Sequence, residues 1–411
     1  MRKRRRKERL FRASGMAATG LGVAFLALFF ISLVFKGASA FTQSFVQLDV
    51  EFTTELLAPN GELDLAVADV ESIVRGALFR MFPEVRDRAG RRDLYQLVSI
   101  GASYEVRDML EKNPELLGTS ESVWVPATAD IDMLVKGQVD RAASERERRV
   151  SDRQLAWFEA LESDDRIERR FNSTLFTSGD SSEPELAGIR GALVGSFYML
   201  LVTLLLAFPI GVAAAVYLEE FAPRNRWTDL IEVNINNLAA VPSIVFGLLG
   251  LAFFINWLGL PRSASLVGGL VLSLMTLPVI IIASRAAITS IPQSVRDGAL
   301  ALGASRMQVV FHHILPLSLP GMLTGTIIGM SRALGESAPL LMIGMVAFIV
   351  DIPQGPLDPA TALPVQVFLW ADSPERAFEE RTSAAILVLL GFLLLMNLAA
   401  ILLRKRMERK W

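Results

Sequence analysis

Six stretches of the sequence run for about 20 residues or more with almost no charged side chain. Five of them carry no charge at all: residues 15–35, 191–218, 233–261, 263–284 and 382–403. The sixth, residues 307–350, is interrupted only by Arg332 and Glu336. A helix needs about 20 apolar residues to cross the roughly 30 Å hydrocarbon core of a bilayer. The sequence therefore predicts an all-α polytopic membrane protein with six transmembrane helices.

The composition argues against a catalytic role for this chain. The sequence contains no cysteine, so thiol catalysis and thiolate metal sites are excluded. It also lacks the phosphate-cradling GxxxxGK[ST] loop, the GxSxG nucleophile elbow and the HExxH zinc pattern. We therefore expect no enzyme, no metal site and no cofactor. Any energy from ATP must be supplied by another chain.

The distribution of basic residues predicts the orientation of the spans. Lys and Arg are concentrated in the first twelve residues, in loops 219–234 and 285–306, and in the C-terminal tail. The positive-inside rule places such segments in the cytoplasm, so both termini are predicted to be cytoplasmic in a bacterial inner membrane. Nucleic-acid binding would instead need a basic folded face, which these tails do not supply. Residues 38–40 are compatible with signal-peptidase cleavage, but the 15–35 run and Lys36 favour a retained anchor.

The chain divides into three predicted regions. Residues 1–40 form a basic tail and a first anchor, 41–186 an external (periplasmic) domain, and 187–411 a membrane domain. Alternating apolar residues at positions 46–52 predict a half-buried strand at the start of the external domain. Helix-like and strand-like patterns follow, near 66–82, 92–112, 131–148, 151–163 and, for a closing strand, 167–176. We expect an inserted α+β domain, to which the sequence assigns no role.

The loop at residues 291–312 has an unusually regular pattern. Pro292 suits a first helical turn, Gly303 permits a sharp bend, and Ser305 can cap the next helical piece. A rigid pair of short helices of this kind fits a groove in a soluble partner. The alternative is a surface helix that merely connects two spans.

The order D-G-A-x-x-x-G-x11-L-P, from Asp297 to Pro316, resembles the cytoplasmic coupling motif of ABC importer permeases. In that family the motif begins Glu-Ala-Ala and docks into a cleft on a separate ATPase subunit. Here His313 stands where the family has Ile. Asp297 and Gly298 replace the Glu and the first Ala of the motif. Four positions match the motif in register: Ala299, Gly303, Leu315 and Pro316.

Two further segments resemble phosphate-specific permeases of the PstA type. They are VPSIVFGLLG, residues 241–250, and SRALGESAPLL, residues 331–341. The resemblance covers residues 187–411 and implies the type I ABC importer permease fold. It also implies three partners: a homologous PstC-type permease, a PstB-type ATPase dimer and an external PstS-type phosphate-binding protein. The simplest members of the family have no domain of the size of residues 41–186.

Arg332 and Glu336 are the predicted residues of the substrate pathway. With a fifth span at about residues 321–345, both would lie near the bilayer midplane on one helical face, where they can pair. Charges at that depth rarely persist without a partner or an aqueous path. Guanidinium fits an oxyanion edge bidentately, and a carboxylate can accept a hydrogen bond from protonated phosphate. The alternative is a structural ion pair that holds two spans together.

Pro242 and Ser243, early in the third predicted span, are candidates for a gate, although helix packing is the other interpretation. The sequence thus predicts the permease subunit of an ATP-driven phosphate importer. A permease for sulfate or molybdate is the nearer alternative. A membrane sensor that uses the external domain is the more distant one.

Overall fold

The computed structural model describes residues 2–58, 65, 68–145 and 148–407. The chain forms two compact units. The first comprises Met1–Phe176, Ser181–Ala187 and Ser373–Ala384, and the second comprises Thr177–Asp180, Gly188–Asp372 and Ala385–Trp411. Residues 373–384 thus belong with the N-terminal unit, a grouping that the sequence division did not contain.

The first unit is a long helix that runs almost directly into a small α+β domain. Helix α1 (Arg2–Ala38) is followed by one 3₁₀ turn and then by strand β1 (Thr42–Glu51). Strands β2 (Ser120–Pro126) and β3 (Ile167–Phe171) pair antiparallel with β1, which lies in the centre of the sheet. The remaining helices of this part of the chain are α2 (Thr54–Leu57), α3 (Val70–Met81), α4 (Arg88–Tyr95), α5 (Gly101–Lys112), α6 (Ala129–Val135), α7 (Asp152–Ser163) and α8 (Thr174–Thr177).

The core of this domain lies on one face of the sheet. Val46, Leu48 and Val50 alternate along β1 and are fully buried, because successive side chains point to opposite faces of a strand. They pack with the apolar faces of α3, α5 and α7 in one cluster of buried residues. The prediction of a half-buried strand and an α+β domain is therefore confirmed.

Two of the predicted helical stretches are wrong in extent. Within the stretch 131–148, of which residues 146 and 147 lie outside the described residues, the helix extends only as far as Val135, because the chain turns at Gly137, whose positive φ of 69° ends the helix. The stretch 92–112 is two helices, interrupted by an isolated bridge between Val98 and Ala127. Strand β2 has no counterpart among the predicted elements.

A buried ion-pair cluster holds residues 373–384 in the first unit. The Lys136 side chain, 2% exposed, lies 2.5 Å from Asp132 Oδ2 and 2.7 Å from Glu380 Oε1. Asp132 also accepts a hydrogen bond of 2.8 Å from the backbone N–H of Ser44 in β1. A charged triad of this kind persists inside a protein only when each charge has a partner.

Residues 181–187 are held by a second buried carboxylate, Glu185. Burial raises the pKa of Glu185 above its ordinary value, because an ionised carboxylate loses hydration there. A hydrogen bond with Ser99 and the charge of Arg381 act in the opposite direction. The backbone carbonyl of Glu185 also accepts a 3.1 Å hydrogen bond from Gln43 Nε2, which ties this segment to β1.

The second unit is helical throughout its regular structure. Its α-helices are α9 (Arg190–Val216), α10 (Arg226–Ala239), α11 (Ser243–Gly250), α12 (Ser265–Thr289), α13 (Gln293–Ala301), α14 (Arg306–Gln308), α15 (Leu315–Leu334), α16 (Ala338–Met342), α17 (Leu363–Ala371) and α18 (Ala377–Met407), of which α18 begins in the first unit. Three π-helical segments, Tyr217–Phe221, Leu251–Trp257 and Val309–Ile314, continue α9, α11 and α14. Helices α9 and α12 approach closely: a Cβ at Gly269 would lie 2.6 Å from Val202 Cβ. Small residues at such crossings allow close backbone approach.

By length and composition, the described helices include five candidate membrane spans, and a sixth when one bent pair is counted as a single span. Five are long and apolar enough by themselves: Arg4–Phe41, Arg190–Phe221, Ser265–Thr289, Arg306–Leu334 and Ala377–Met407. The sixth is the pair Arg226–Ala239 and Ser243–Trp257, which is bent by 99°. The prediction of an all-α polytopic membrane protein is confirmed, with the third span broken rather than continuous.

Candidate functional site

The two predicted pathway residues lie at a break between helices. Helix α15 ends at Leu334, so Arg332 occupies its last turn and Glu336 lies in the connection to α16. The expectation of one continuous helix over 321–345 is wrong. Gly335 caps α15, and Pro339 lacks the backbone N–H that would donate to residue 335 in a continuous helix.

Arg332 and Glu336 nevertheless stay close. Arg332 Nε lies 3.5 Å from Glu336 Oε1, and the two side chains are 50% and 20% exposed. Within the described part of the chain, the Nη groups of Arg332 make no hydrogen bond, which leaves the planar fork open. Such a fork can hold an oxyanion edge through two parallel hydrogen bonds.

The two residues predicted to form a gate lie at a second break. Pro242 and Ser243 stand at the 99° bend, where Pro242 precedes the first turn of α11. Further along α11, a Cβ at Gly247 would lie 2.7 Å from the Cα of Pro339 in α16. The structure thus brings together segments 241–250 and 331–341, which sequence alone could not relate.

The segment 291–312 has the predicted geometry. Helix α13 follows Pro292, Gly303 adopts a positive φ of 87°, and the Ser305 side chain accepts from the backbone N–H of Gln308 in a capping box. Leu302, at the bend, is 91% exposed. A solvent-exposed leucine on a rigid bend can insert into an apolar pocket of a partner protein.

The motif residues divide between two sides of this segment. Ala299 is buried, whereas Asp297 and Gly298 are exposed. Leu315 and Pro316 open helix α15 and are partly buried. Pro316 also lines a cleft of about 650 Å³ with residues 290–292 and the two histidines 312 and 313. The positions that carry the motif therefore belong to one continuous structure, with Asp297 and Gly298 on its open side.

Two adjacent glutamates that sequence reasoning missed connect this segment to the helices. Glu220 Oε1 lies 2.8 Å from Arg296 of α13. Its neighbour Glu219 lies 2.6 Å from Arg285 of α12, which also contacts Glu232 of α10 at 2.8 Å. The sequence alone did not relate Arg285 to these two carboxylates. The sequence feature that could have indicated these ion pairs is the pair of glutamates directly after the uncharged stretch 191–218.

Among residues 2–58, 65, 68–145 and 148–407, no group of three or more His, Asp or Glu side chains is placed to hold a metal ion. The two breaks offer a guanidinium, a carboxylate and backbone groups. Such a set can bind and release an anion without forming a covalent bond.

Comparison with protein families and solved structures adds two matches and several relatives. A family model described as "Binding-protein-dependent transport system inner membrane component" matches residues 190–411. Residues 1–145 match a model described as "Domain of unknown function (DUF3333)". The probable ABC transporter permease protein YqgI of Bacillus subtilis is 40% identical over 155 residues, 38% of this chain and 52% of YqgI. The chain thus matches about half the length of that relative.

Two relatives are matched over more of their length. "Phosphate transport system permease protein PstA 1" of Mycobacterium tuberculosis is 32% identical over 219 residues, which cover 53% of this chain and 70% of that protein. The PstA protein of Haemophilus influenzae is 27% identical over 224 residues, 54% and 78% of the two chains. A solved structure of the MetNI methionine ABC transporter matches with a TM-score of 0.43 at 20% identity, over 52% of this chain and 95% of that one.

Proposed function

The chain belongs to the family of binding-protein-dependent transport system inner membrane components, and we propose that it is the permease subunit of an ATP-driven importer of inorganic phosphate. It forms half of the translocation path and pairs with a homologous permease of the PstC type. Relatives named as phosphate transport permeases, 27–32% identical over more than half of this chain, support the choice of substrate.

The observation that carries the proposal is the open guanidinium of Arg332 at a helix break. Irregular backbone at membrane depth is tolerated only where it is buried in protein or lines an aqueous cavity. A half-exposed cation in such a place, which among the described residues contacts a side chain only through Nε, provides an anion site that is occupied and vacated during transport.

Glu336 selects the protonation state of the anion. Its carboxylate lies 3.5 Å from Arg332 and repels a fully deprotonated oxyanion such as sulfate. Phosphate still carries a proton near neutral pH and can donate it in a hydrogen bond to this carboxylate. An anion without that proton leaves a carboxylate unpaired beside it, which is costly.

Segment 291–312 couples ATP hydrolysis by the partner ATPase to movement of the spans. A PstB-type ATPase dimer binds the exposed face around Leu302, and the Arg296–Glu220 pair carries its movement to the end of α9. A PstS-type binding protein delivers phosphate from outside. In this arrangement the termini are cytoplasmic, residues 41–186 form the external domain, and Pro242 and Ser243 act as a gate at the bend of the third span.

Uptake of labelled phosphate, sulfate and molybdate by a deletion strain that carries the chain on a plasmid tests this function. We expect restored phosphate uptake and little sulfate uptake. Glu336→Gln should lower the ratio of phosphate uptake to sulfate uptake about tenfold, because hydrogen bonds to ionised groups contribute roughly 1.5–3 kcal/mol. Glu55→Gln, on the surface of the first unit, is the matched control. Preferential sulfate or molybdate uptake would identify another oxyanion permease, and unchanged uptake in the deletion strain would favour a sensor.

A further inference from the structure

A cleft of about 690 Å³ lies in the first unit, where helix α1 ends and helix α18 begins. Eight residues line it: Phe35, Lys36, Ser39, Met133, Gln138, Arg376, Glu379 and Glu380. Its volume is within the range of roughly 300–1,000 Å³ that is typical of small-molecule sites. The transport function proposed above makes no use of this cleft.

The cleft has a rigid floor. Glu380 is buried and accepts hydrogen bonds from Ser39 Oγ at 2.7 Å, Lys136 Nζ at 2.7 Å and Gln138 Nε2 at 2.8 Å. These bonds join the end of α1, the turn after α6 and the first turn of α18. Because its charge and lone pairs are engaged, Glu380 shapes the cleft and does not compete for a ligand.

Three other charges in the cleft are open to solvent. Lys36, Arg376 and Glu379 are exposed, and none of them makes an ion pair within the part of the chain that the structure describes. Two free cations and one free carboxylate around a single cavity fit a ligand with a negative and a positive group close together. A simple anion would face the carboxylate as well as the cations.

The position of the cleft along both helices indicates the source of such a ligand. The uncharged run of α1 ends at Phe35, directly before Lys36, and that of α18 begins at Thr382, directly after Glu379, Glu380 and Arg381. In helices that cross a membrane, this change from apolar to charged residues marks the level of the lipid headgroups. Phe35, 78% exposed, lies on the apolar side of the boundary.

We propose that this cleft binds the headgroup of phosphatidylethanolamine from the surrounding bilayer. Lys36 and Arg376 hold the phosphodiester, whose oxygens suit the guanidinium fork. Glu379 accepts hydrogen bonds from the primary ammonium, and an acyl chain lies along Phe35. Phosphatidylcholine has no N–H to donate, and phosphatidylglycerol has no cation for Glu379. The proposal depends on the helices crossing a membrane and is independent of the transported anion.

Native mass spectrometry of the purified, delipidated full-length chain tests the proposal. The chain is titrated with phosphatidylethanolamine, phosphatidylcholine and phosphatidylglycerol of identical acyl chains. Phosphatidylethanolamine should bind tightest, and the double variant Lys36→Gln/Arg376→Gln should weaken it about tenfold or more. Glu379→Gln should remove the preference over phosphatidylglycerol. Arg107→Gln/Lys112→Gln, on helix α5, changes the charge of the same unit equally and should leave binding unchanged.

Three results would overturn the lipid site. The first is binding by the double variant at wild-type strength. The second is equal binding of phosphatidylcholine and phosphatidylethanolamine to the wild-type chain, which would mean that the ammonium is not recognised. The third is displacement of the lipid by millimolar inorganic phosphate, which would identify a site for the free anion. All three substituted residues are exposed, so the substitutions should not unfold the chain, and a change in lipid binding can be assigned to the site itself.

Discussion

Replacing Arg332 with glutamine should lower phosphate uptake by roughly 10- to 100-fold. Hydrogen bonds to a charged group contribute about 1.5–3 kcal/mol each, and every 1.4 kcal/mol is a factor of ten. Glutamine keeps two N–H donors but loses the positive charge and the second arm of the fork. The loss should be visible as reduced uptake of labelled phosphate in the complemented deletion strain, at equal amounts of membrane-inserted protein.

Two measurements separate a lost anion site from a damaged fold. Arg262→Gln removes an exposed arginine from the same unit and should leave uptake unchanged. The ATPase subunit should still copurify with the Arg332→Gln chain, because segment 291–312 is unaltered. Uptake at wild-type rates by the Arg332 variant would show that the guanidinium is a structural partner of Glu336 and no more.

Replacing Lys136 with methionine should destabilise the first unit by about 3–5 kcal/mol, the usual cost of breaking a buried ion pair. The ammonium lies between Asp132 and Glu380, and its removal leaves two buried carboxylates without the cation that contacts both of them, with buried Arg381 as the remaining positive charge nearby. Thermal unfolding of the purified chain, followed by tryptophan fluorescence, should show a midpoint lower by about 10 °C. The same change should loosen the floor of the lipid cleft.

A matched substitution in the same domain provides the control. Lys112 pairs with Asp108 at 3.7 Å, also four residues apart, but the two side chains are 75% and 64% exposed. Lys112→Met should therefore shift stability by no more than about 0.5 kcal/mol. Equal shifts for the two variants would show that water reaches the Lys136 cluster and that its burial does not govern stability.

The membrane spans were predictable because they depend on composition alone. A helix in lipid satisfies its own backbone, so the uncharged stretches mark it without reference to any other part of the chain. The family resemblance drawn from residues 297–316 and 331–341 is likewise confirmed by the family match over residues 190–411. The bend at Gly303 and the cap at Ser305 were predicted correctly, because both are decided by neighbouring residues.

The breaks and the ion pairs were harder to predict. Hydropathy places residues 321–345 in one span, and only Gly335 followed by Pro339 signals that the helix ends at Leu334. Pairs such as Arg296 with Glu220 join residues far apart in the sequence, and spacing carries no information on which charges meet. The roles assigned to Arg332 and Glu336 in transport remain predictions.

Labelling of a single cysteine at Ser337 tests most directly whether the α15–α16 break lies in the phosphate path. The chain has no native cysteine, so Ser337→Cys introduces one thiol of nearly the same size next to Glu336. In the assembled transporter, a water-soluble thiosulfonate reagent should modify this thiol, and phosphate should slow the reaction while sulfate does not. Ser290→Cys, near segment 291–312, should react equally with either anion. Labelling of Ser337→Cys at a rate that phosphate leaves unchanged, or no labelling at all, would contradict the account.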